Sequence, residues 1–209
     1  MYGKTVQITI ITALIIAAFG IGFAQIKSPD VAKIDTVLIE NLILDKLNAE
    51  RKSRDLAPLV KHDSLTRLAR IQSENMVKYN FFSHTDQNGY APQQRQIYYF
   101  PRLCGGIGEN IAYDYGATNK DVAENLIKSW MSSSGHRANI LRTSYSHTGI
   151  GIVQKGEQFY ATQVFGDLIA SLETEIPELI PYGSEITLRF KYESVFPKEQ
   201  LTVFTVFPD

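Results

Sequence analysis

The chain has a single cysteine, Cys104, among its 209 residues, and its formal net charge is only -1. With one cysteine no disulfide can form within the chain, so packing must hold the fold together. Lysine and arginine are not concentrated in any run, and the basic surface that nucleic-acid binding requires is therefore missing. These absences exclude a disulfide-stapled fold and argue against DNA or RNA as a partner. Cys104 itself is predicted to be a small, partly buried apolar residue.

An apolar stretch at residues 8–24 follows Lys4 near the N-terminus. Its length suits either the hydrophobic part of a signal peptide or a short membrane anchor. The sequence Gly22-Phe23-Ala24 has the small-x-small pattern of a signal-peptidase site, which favours cleavage after residue 24. Either fate predicts that the rest of the chain lies outside the cytoplasm, secreted or attached to the membrane through residues 8–24.

Composition divides the chain into four parts. Residues 1–24 are predicted as the signal peptide or anchor, residues 25–35 as a linker, and residues 36–167 as the folded domain. The composition changes after residue 167, where the segments 186–190 and 201–207 have the character of strands, so residues 168–209 are predicted as a β-rich C-terminal extension. Two strands alone are marginally stable, and the extension should therefore dock on the main sheet or meet a partner.

Three segments of the folded domain have apolar side chains at helical spacing: 37–51, 63–79 and 118–130. Each is predicted as a helix with one buried face. The third begins with a capping box at Thr118 and places Trp130 in the core. Asp63 is expected to cap the second helix, and Ser133 or Ser134 to cap a short fourth helix.

Strand signals come later in the chain. Residues 149–153 and 159–165 are rich in β-branched and aromatic side chains and are separated by a turn at Gly156, which predicts a hairpin. A further strand is expected after Asn110. Helices therefore precede strands, and this order predicts a mixed α/β layer structure with an antiparallel sheet.

Three polar residues lie in unusual surroundings. His84 follows the second helix in a loop, His136 opens the short fourth helix, and Glu109 stands between Gly108 and an apolar run. A carboxylate that enters a core needs a partner. The two other histidines, His62 and His147, are predicted on the surface or at a rim.

Four segments resemble, in order and spacing, the successive signatures of the CAP superfamily, which includes cysteine-rich secretory proteins, venom antigens, plant pathogenesis-related proteins and prokaryotic SCP-like proteins. These segments are residues 82–86, 108–112, 130–141 and 160–166. Residues 47–51 resemble the first-helix signature of the family as well. The resemblance implies an α/β (α+β) fold, a three-layer α-β-α sandwich with a mainly antiparallel central sheet, and a central cleft in which two histidines and usually two glutamates face one another.

By this resemblance, His84, Glu109 and His136 meet in the cleft, beside Asn110 and Ser133. Ser133 stands where the animal and plant members have the second glutamate, as prokaryotic members typically do. The departure puts in doubt any activity that requires both glutamates.

A set of two imidazoles and one carboxylate suits zinc or a neighbouring divalent ion, and it leaves a coordination position open to water. His84, His136 and Glu109 are therefore the candidate metal ligands. The alternative is a hydrogen-bonded polar cluster that holds the layers together without metal.

Three functions are compatible with these residues. The first is a non-catalytic binding module for a small molecule, lipid, glycan or peptide, the ligand classes that the resemblance suggests. The second is a metal-dependent hydrolase or peptidase with Glu109 as the general base. The third is an envelope adhesion or structural module that docks through the C-terminal extension. The first is favoured, because no dedicated nucleophile or oxyanion device accompanies the polar cluster.

Overall fold

The structure is a computed structural model that describes residues 34–195 and Pro197. The elements follow in the order α1 (Thr36–Lys52), β1 (Val60–Lys61), α2 (Asp63–Lys78), α3 (Pro92–Tyr99), β2 (Leu103–Tyr115), α4 (Asn119–Ser132), α5 (Ser134–Ile140), β3 (His147–Lys155), β4 (Gln158–Leu172) and β5 (Phe190–Tyr192). The predicted N-terminal signal or anchor and the strand-like run at 201–207 lie outside the described residues. No helix in the described part of the chain is long and apolar enough to span a bilayer.

The strands form one sheet in the order β1-β3-β4-β2, with β5 paired to β4 outside this path. β3 and β4 are the predicted antiparallel hairpin, in which Lys155 lies opposite Gln158. β2 runs antiparallel to β4 on its other side, so β2 is an edge strand. Only β1 is parallel to its neighbour, β3, and the prediction of a mainly antiparallel sheet is confirmed.

Side chains along β4 alternate between two hydrophobic cores, because successive residues of a strand point to opposite faces of the sheet. Phe159 and Phe165 pack with the buried faces of α1 and α4, including the fully buried Trp130. Val164 and Leu168 point the other way and pack with α2. Helices therefore cover both faces of the sheet, which confirms the predicted three-layer α-β-α sandwich.

Two glycines let α2 approach the sheet closely. A Cβ atom on Gly149 would collide with the backbone of Leu65 and Thr66, and one on Gly151 would collide with the backbone of Arg70. Any side chain at these two positions would push α2 away from β3, since a helix backbone cannot move aside without displacing its whole buried face.

The helix ends follow the sequence signals in part. The capping box at the start of α4 is confirmed: Thr118 Oγ1 accepts a hydrogen bond from the Asp121 N–H, and an oxygen of Asp121 accepts one from the Thr118 N–H. The expected Asp63 cap is wrong, because Asp63 is the first helical residue and His62 occupies the cap position. Ser133 is the N-cap residue of α5 but makes no side-chain capping bond. Its N–H donates a hydrogen bond to the carbonyl of Trp130, in the last turn of α4.

The sheet continues past residue 167, where composition places the domain boundary, since β4 runs to Leu172. The strand expected at 186–190 is shorter and lies later, as β5, which pairs with β4 through Ala170 and Tyr192. We refer to residues 173–195 as the tail segment. Its strand docks on the main sheet, one of the two outcomes expected for the extension.

Candidate functional site

His84 and Glu109 are in direct contact. Nδ1 of His84 lies 2.8 Å from Oε1 of Glu109. The imidazole is half exposed, whereas only 1% of the glutamate side chain is accessible. Glu109 lies in the middle of β2, so the strand presents a buried carboxylate to a histidine that solvent reaches. The predicted need of Glu109 for a partner is thus met.

A buried arginine, which the sequence reasoning missed, completes this contact. Arg95 lies on α3, is fully buried, and donates from Nη2 to Oε2 of Glu109. Its Nη1 donates to the carbonyl oxygens of His84 and, at 3.0 Å, of Tyr90. Arg95 therefore neutralises the carboxylate and also holds the backbone of the loop that carries His84. The signal for α3 is Pro92, a residue favoured at the first position of a helix.

His136 is positioned from the other side of β2. Asn110 donates from Nδ2 to the carbonyl oxygen of His136, over 3.1 Å. Asn139, one turn later on α5, donates to Oδ1 of Asn110 and to the backbone carbonyl of Glu109. These bonds tie the start of α5 to the strand that carries Glu109.

The two histidines lie on either side of the edge strand β2. Glu109 and Asn110 are consecutive on β2 and point to opposite faces, so His84 comes from one helical layer and His136 from the other. Burial lowers the pKa of His136, and the nearby His84 lowers it further. The structure therefore brings all three predicted residues to the outer edge of β2, together with Asn110.

Ser133, which was predicted beside the cleft, and two further residues have simpler roles. Ser133 lies at the junction of α4 and α5, beside the start of the helix that carries His136. Arg137 donates to the carbonyl oxygen of Met131 at 2.9 Å and so ties α5 to the last turn of α4. Tyr113 lies on β2 between the rings of Phe82 and Tyr160, at centroid distances of 5.0 and 5.9 Å. We call the side chains of Phe82, Tyr113 and Tyr160 the aromatic row; Phe82 precedes His84 by two residues.

Two predictions about single residues, His62 and Cys104, are wrong. His62 is largely buried, with 14% of its side chain exposed, because it packs against Glu193 of the tail segment. The ring of His147 contacts His62 edge to face, and its intermediate burial agrees with the rim position that was one of the two expected for it. Cys104, expected to be partly buried, is exposed, although it is paired with Ala170 of β4.

The predicted three-ligand metal set does not form as such. Both oxygens of Glu109 are already engaged, one by His84 and one by Arg95. Among residues 34–195, no three His, Cys, Asp or Glu side chains have the geometry to hold a metal ion. A site with two imidazoles fits better, because Glu109 engages Nδ1 of His84 and leaves Nε2 as the nitrogen available to a cation.

A model of the cysteine-rich secretory protein family, CAP, matches residues 44–165, which is more than half of the chain. The chain belongs to the CAP family. Two proteins of Bacillus subtilis are similar to it: YkwD, uncharacterised, is 33% identical over 117 residues, and YlbC, an uncharacterised membrane protein, is 32% identical over 126 residues. The matches cover 56% and 60% of this chain but 43% and 34% of the relatives. This CAP protein thus matches less than half the length of either relative.

Two solved structures have a similar fold. An extracellular protein of Bacillus anthracis that contains an SCP domain is 25% identical, with a TM-score of 0.53, and the match covers 61% of this chain and 40% of that one. An outer surface protein of Borrelia burgdorferi is 20% identical, with a TM-score of 0.56, and the match covers 64% and 96% of the two chains. The second likeness is one of fold alone.

Proposed function

We propose that this CAP protein is an extracytoplasmic ligand-binding domain whose cleft holds a divalent cation, zinc in the first place, between His84 and His136. The observation that carries the proposal is the contact between Glu109 and Nδ1 of His84. A carboxylate that holds one ring nitrogen of a histidine is the usual support of a metal-binding imidazole, because it fixes the tautomer and the orientation of the ring.

Zinc suits the donor set. Neutral imidazole nitrogens are common zinc ligands, and two of them leave positions for water or for a ligand group. The lowered pKa of His136 favours the neutral form that a metal requires. A bound cation would supply a Lewis-acidic centre at the cleft, while Glu109 and Arg95 hold the ring of His84 in place.

A role of Glu109 as a general base is not supported. A base must reach the proton that it removes, directly or through one water. Glu109 is buried, one of its oxygens accepts from Arg95, and the other faces His84. A binding function therefore agrees better with this geometry than hydrolysis does.

The ligand surface that we propose includes the aromatic row. Phe82 and Tyr113 are each about half exposed, and they lie beside the polar contacts of His84. Exposed aromatic rings next to a few oriented polar groups are typical of sites that bind organic ligands. A lipid, a glycan or a peptide would each bury this surface.

An extracytoplasmic location is supported by the apolar stretch at residues 8–24. The B. anthracis protein of similar fold is extracellular, and the B. burgdorferi protein lies on the outer surface. Fractionation of bacteria that produce the full chain should recover it outside the cytoplasm. Recovery in the cytoplasm alone would contradict this part of the proposal.

Calorimetric titration with zinc tests the metal site. The wild-type domain should bind one ion, and His84→Gln and His136→Gln should each abolish that binding. His147→Gln, which removes a histidine on β3, separated from β2 by β4, is the matched control and should bind as the wild type does. Undiminished uptake in the double variant H84Q/H136Q would overturn the proposal.

Ligand extraction followed by mass spectrometry tests the binding surface. Phe82→Ala combined with Tyr113→Ala should reduce the amount of any ligand that co-purifies, because it removes the exposed rings of the aromatic row. Tyr182→Ala removes an equally large, fully exposed ring on the tail segment and should leave that amount unchanged. Equal loss in both variants would argue against the aromatic row as the binding surface.

A further inference from the structure

A second cluster of titratable side chains lies away from the cleft, where the tail segment meets the sheet. Nε2 of His62 is 3.9 Å from Oε1 of Glu193. The ring of His62 contacts that of His147 edge to face, at 5.6 Å between centroids. Only 14% of the His62 side chain and 6% of the Glu193 side chain are exposed. The cluster therefore buries groups that would each be solvated if the tail segment were absent.

The topology explains why these residues meet. β3 begins at His147, opposite Gly166 of β4, and β5 pairs with β4 a few residues further on, at Ala170. β3 and β5 thus follow one another along β4. Glu193, just after β5, fills the junction between them, and its N–H donates to the carbonyl of Ile169.

Contacts with Glu193 bind the tail segment to the body of the domain. Ser171, on β4, donates to Oε1 of Glu193 at 3.0 Å. Lys191, on β5, lies 3.0 Å from the same oxygen. The third neighbour is His62, at the start of α2, and its Nδ1 is buried without a hydrogen-bond partner.

The two histidines cannot both become charged without leaving one charge unpaired. The charged groups that act on the two rings are Glu193 and Lys191 from the tail segment and, for His62, Asp63 from the first turn of α2. Lys191 compensates Glu193, so Asp63 can offset only one of the two histidine charges. Protonation of both rings would therefore leave a positive charge uncompensated in a buried site, where an unpaired charge is costly.

We propose that His62, His147 and Glu193 form an acid-sensitive latch, which holds the tail segment on the sheet at neutral pH and releases it when the two histidines become charged. The latch uses no residue of the cleft and does not depend on metal binding there. Its consequence is that the C-terminal part of the chain becomes available to other contacts in an acidic compartment.

The direction of the pH effect follows from the three groups together. Burial lowers the pKa of His62 and of His147 and outweighs the carboxylate of Glu193, which raises the pKa of both rings, while Lys191 lowers both. The hydrogen bonds from Lys191 and Ser171 outweigh burial and lower the pKa of Glu193. A lowered histidine pKa stabilises docking above the ordinary value of 6.5, and this stabilisation is lost as pH falls through the lowered value. The lowered pKa of Glu193 also stabilises docking, and this stabilisation is lost only at lower pH, when the carboxylate becomes protonated.

Hydrogen exchange of the full chain, read by mass spectrometry, tests the latch. Exchange rates at residues 186–195, corrected for the intrinsic effect of pH, should rise about tenfold or more between about pH 7.5 and about pH 5. Rates in α4, far from the tail segment, should not change and serve as the reference. In H62Q/H147Q the rise should disappear, whereas in H84Q, a matched histidine variant, it should persist.

Three results would overturn the proposal: equal protection of residues 186–195 at both pH values, a full acid response in H62Q/H147Q, or loss of α4 protection in parallel with the tail segment. If α4 of the double variant is already unprotected at neutral pH, that variant has lost its fold, and the single variant His147→Gln is measured in its place. A smaller acid response than in the wild type supports the latch, and an unchanged response contradicts it.

Discussion

Arg95 donates a hydrogen bond to Oε2 of Glu109 at a place where 0% of the arginine and 1% of the glutamate side chain are exposed. A buried pair of this kind contributes little net stability, because both charges have lost their hydration. Removal of one partner is much more costly, since the other charge is then buried without compensation. The contact between Glu109 and His84 therefore depends on Arg95, which compensates the buried carboxylate.

Arg95→Met is expected to destabilise the domain by about 3–5 kcal/mol, the usual cost of leaving a buried charge unpaired. Urea denaturation of the purified domain measures this. The double variant R95M/E109Q should lose less than the sum of the two single variants, because it removes both charges. A loss below about 1 kcal/mol in R95M would contradict the pairing.

Glu109→Gln should weaken zinc binding by about 10–100-fold without abolishing it, as expected for a residue that supports a ligand rather than acting as one. Calorimetry distinguishes this from the complete loss expected for His84→Gln. Glu124→Gln, which neutralises a glutamate with about half of its side chain exposed, is the control and should have no effect. Complete loss of binding in E109Q would instead make Glu109 a direct ligand.

The imidazole of His136 should titrate below the ordinary value of 6.5 in metal-free protein, because burial and the neighbouring His84 both lower its pKa. NMR of the ring protons in the presence of a chelator measures the midpoint. In His84→Gln the midpoint should move upward, since a like charge has been removed. This group therefore contributes stability that is present above pH 6.5 and is lost as pH falls through the lowered pKa. A midpoint at or above 6.5 in the wild type would refute this arrangement.

Asn110→Ala should destabilise the domain by about 1–3 kcal/mol, because Asn139 and the carbonyl of His136 would lose a buried partner. It should also weaken zinc binding, since α5 is no longer tied to β2. Asn41→Ala, on the exposed face of α1, removes a side chain that bonds to Lys61 and is expected to be neutral. Denaturation and calorimetry on both variants provide the comparison, and equal effects would contradict a special role for Asn110.

The helices and the hairpin could be predicted from local signals, whereas the three-layer sandwich and the meeting of the three cleft residues were implied by a family resemblance. Helical periodicity predicts α1, α2 and α4, and β-branched clusters predict the β3–β4 hairpin. His84, Glu109 and His136 lie in segments whose order matches a known family. The local pattern marks each of them only as a polar residue in unusual surroundings, and it is the resemblance that implies their common cleft.

Other features depend on contacts between distant parts of the chain. His62 stands between two exposed charged residues, and it is buried only because Glu193 returns to it from the tail segment. Arg95 lies in a short helix with several glutamines and little apolar pattern, so nothing nearby marks it as a buried charge. Its partner, Glu109, is on a different element. Such pairings follow from topology, which local periodicity does not determine.

Diffraction at the zinc absorption edge, from crystals grown with zinc, shows whether His84 and His136 share one ion. We expect one anomalous peak about 2.0–2.1 Å from a ring nitrogen of His84 and of His136, with Glu109 still bonded to Arg95. A peak bound directly by Glu109 in place of Arg95 would contradict this expectation, as would the absence of any peak between the two imidazoles.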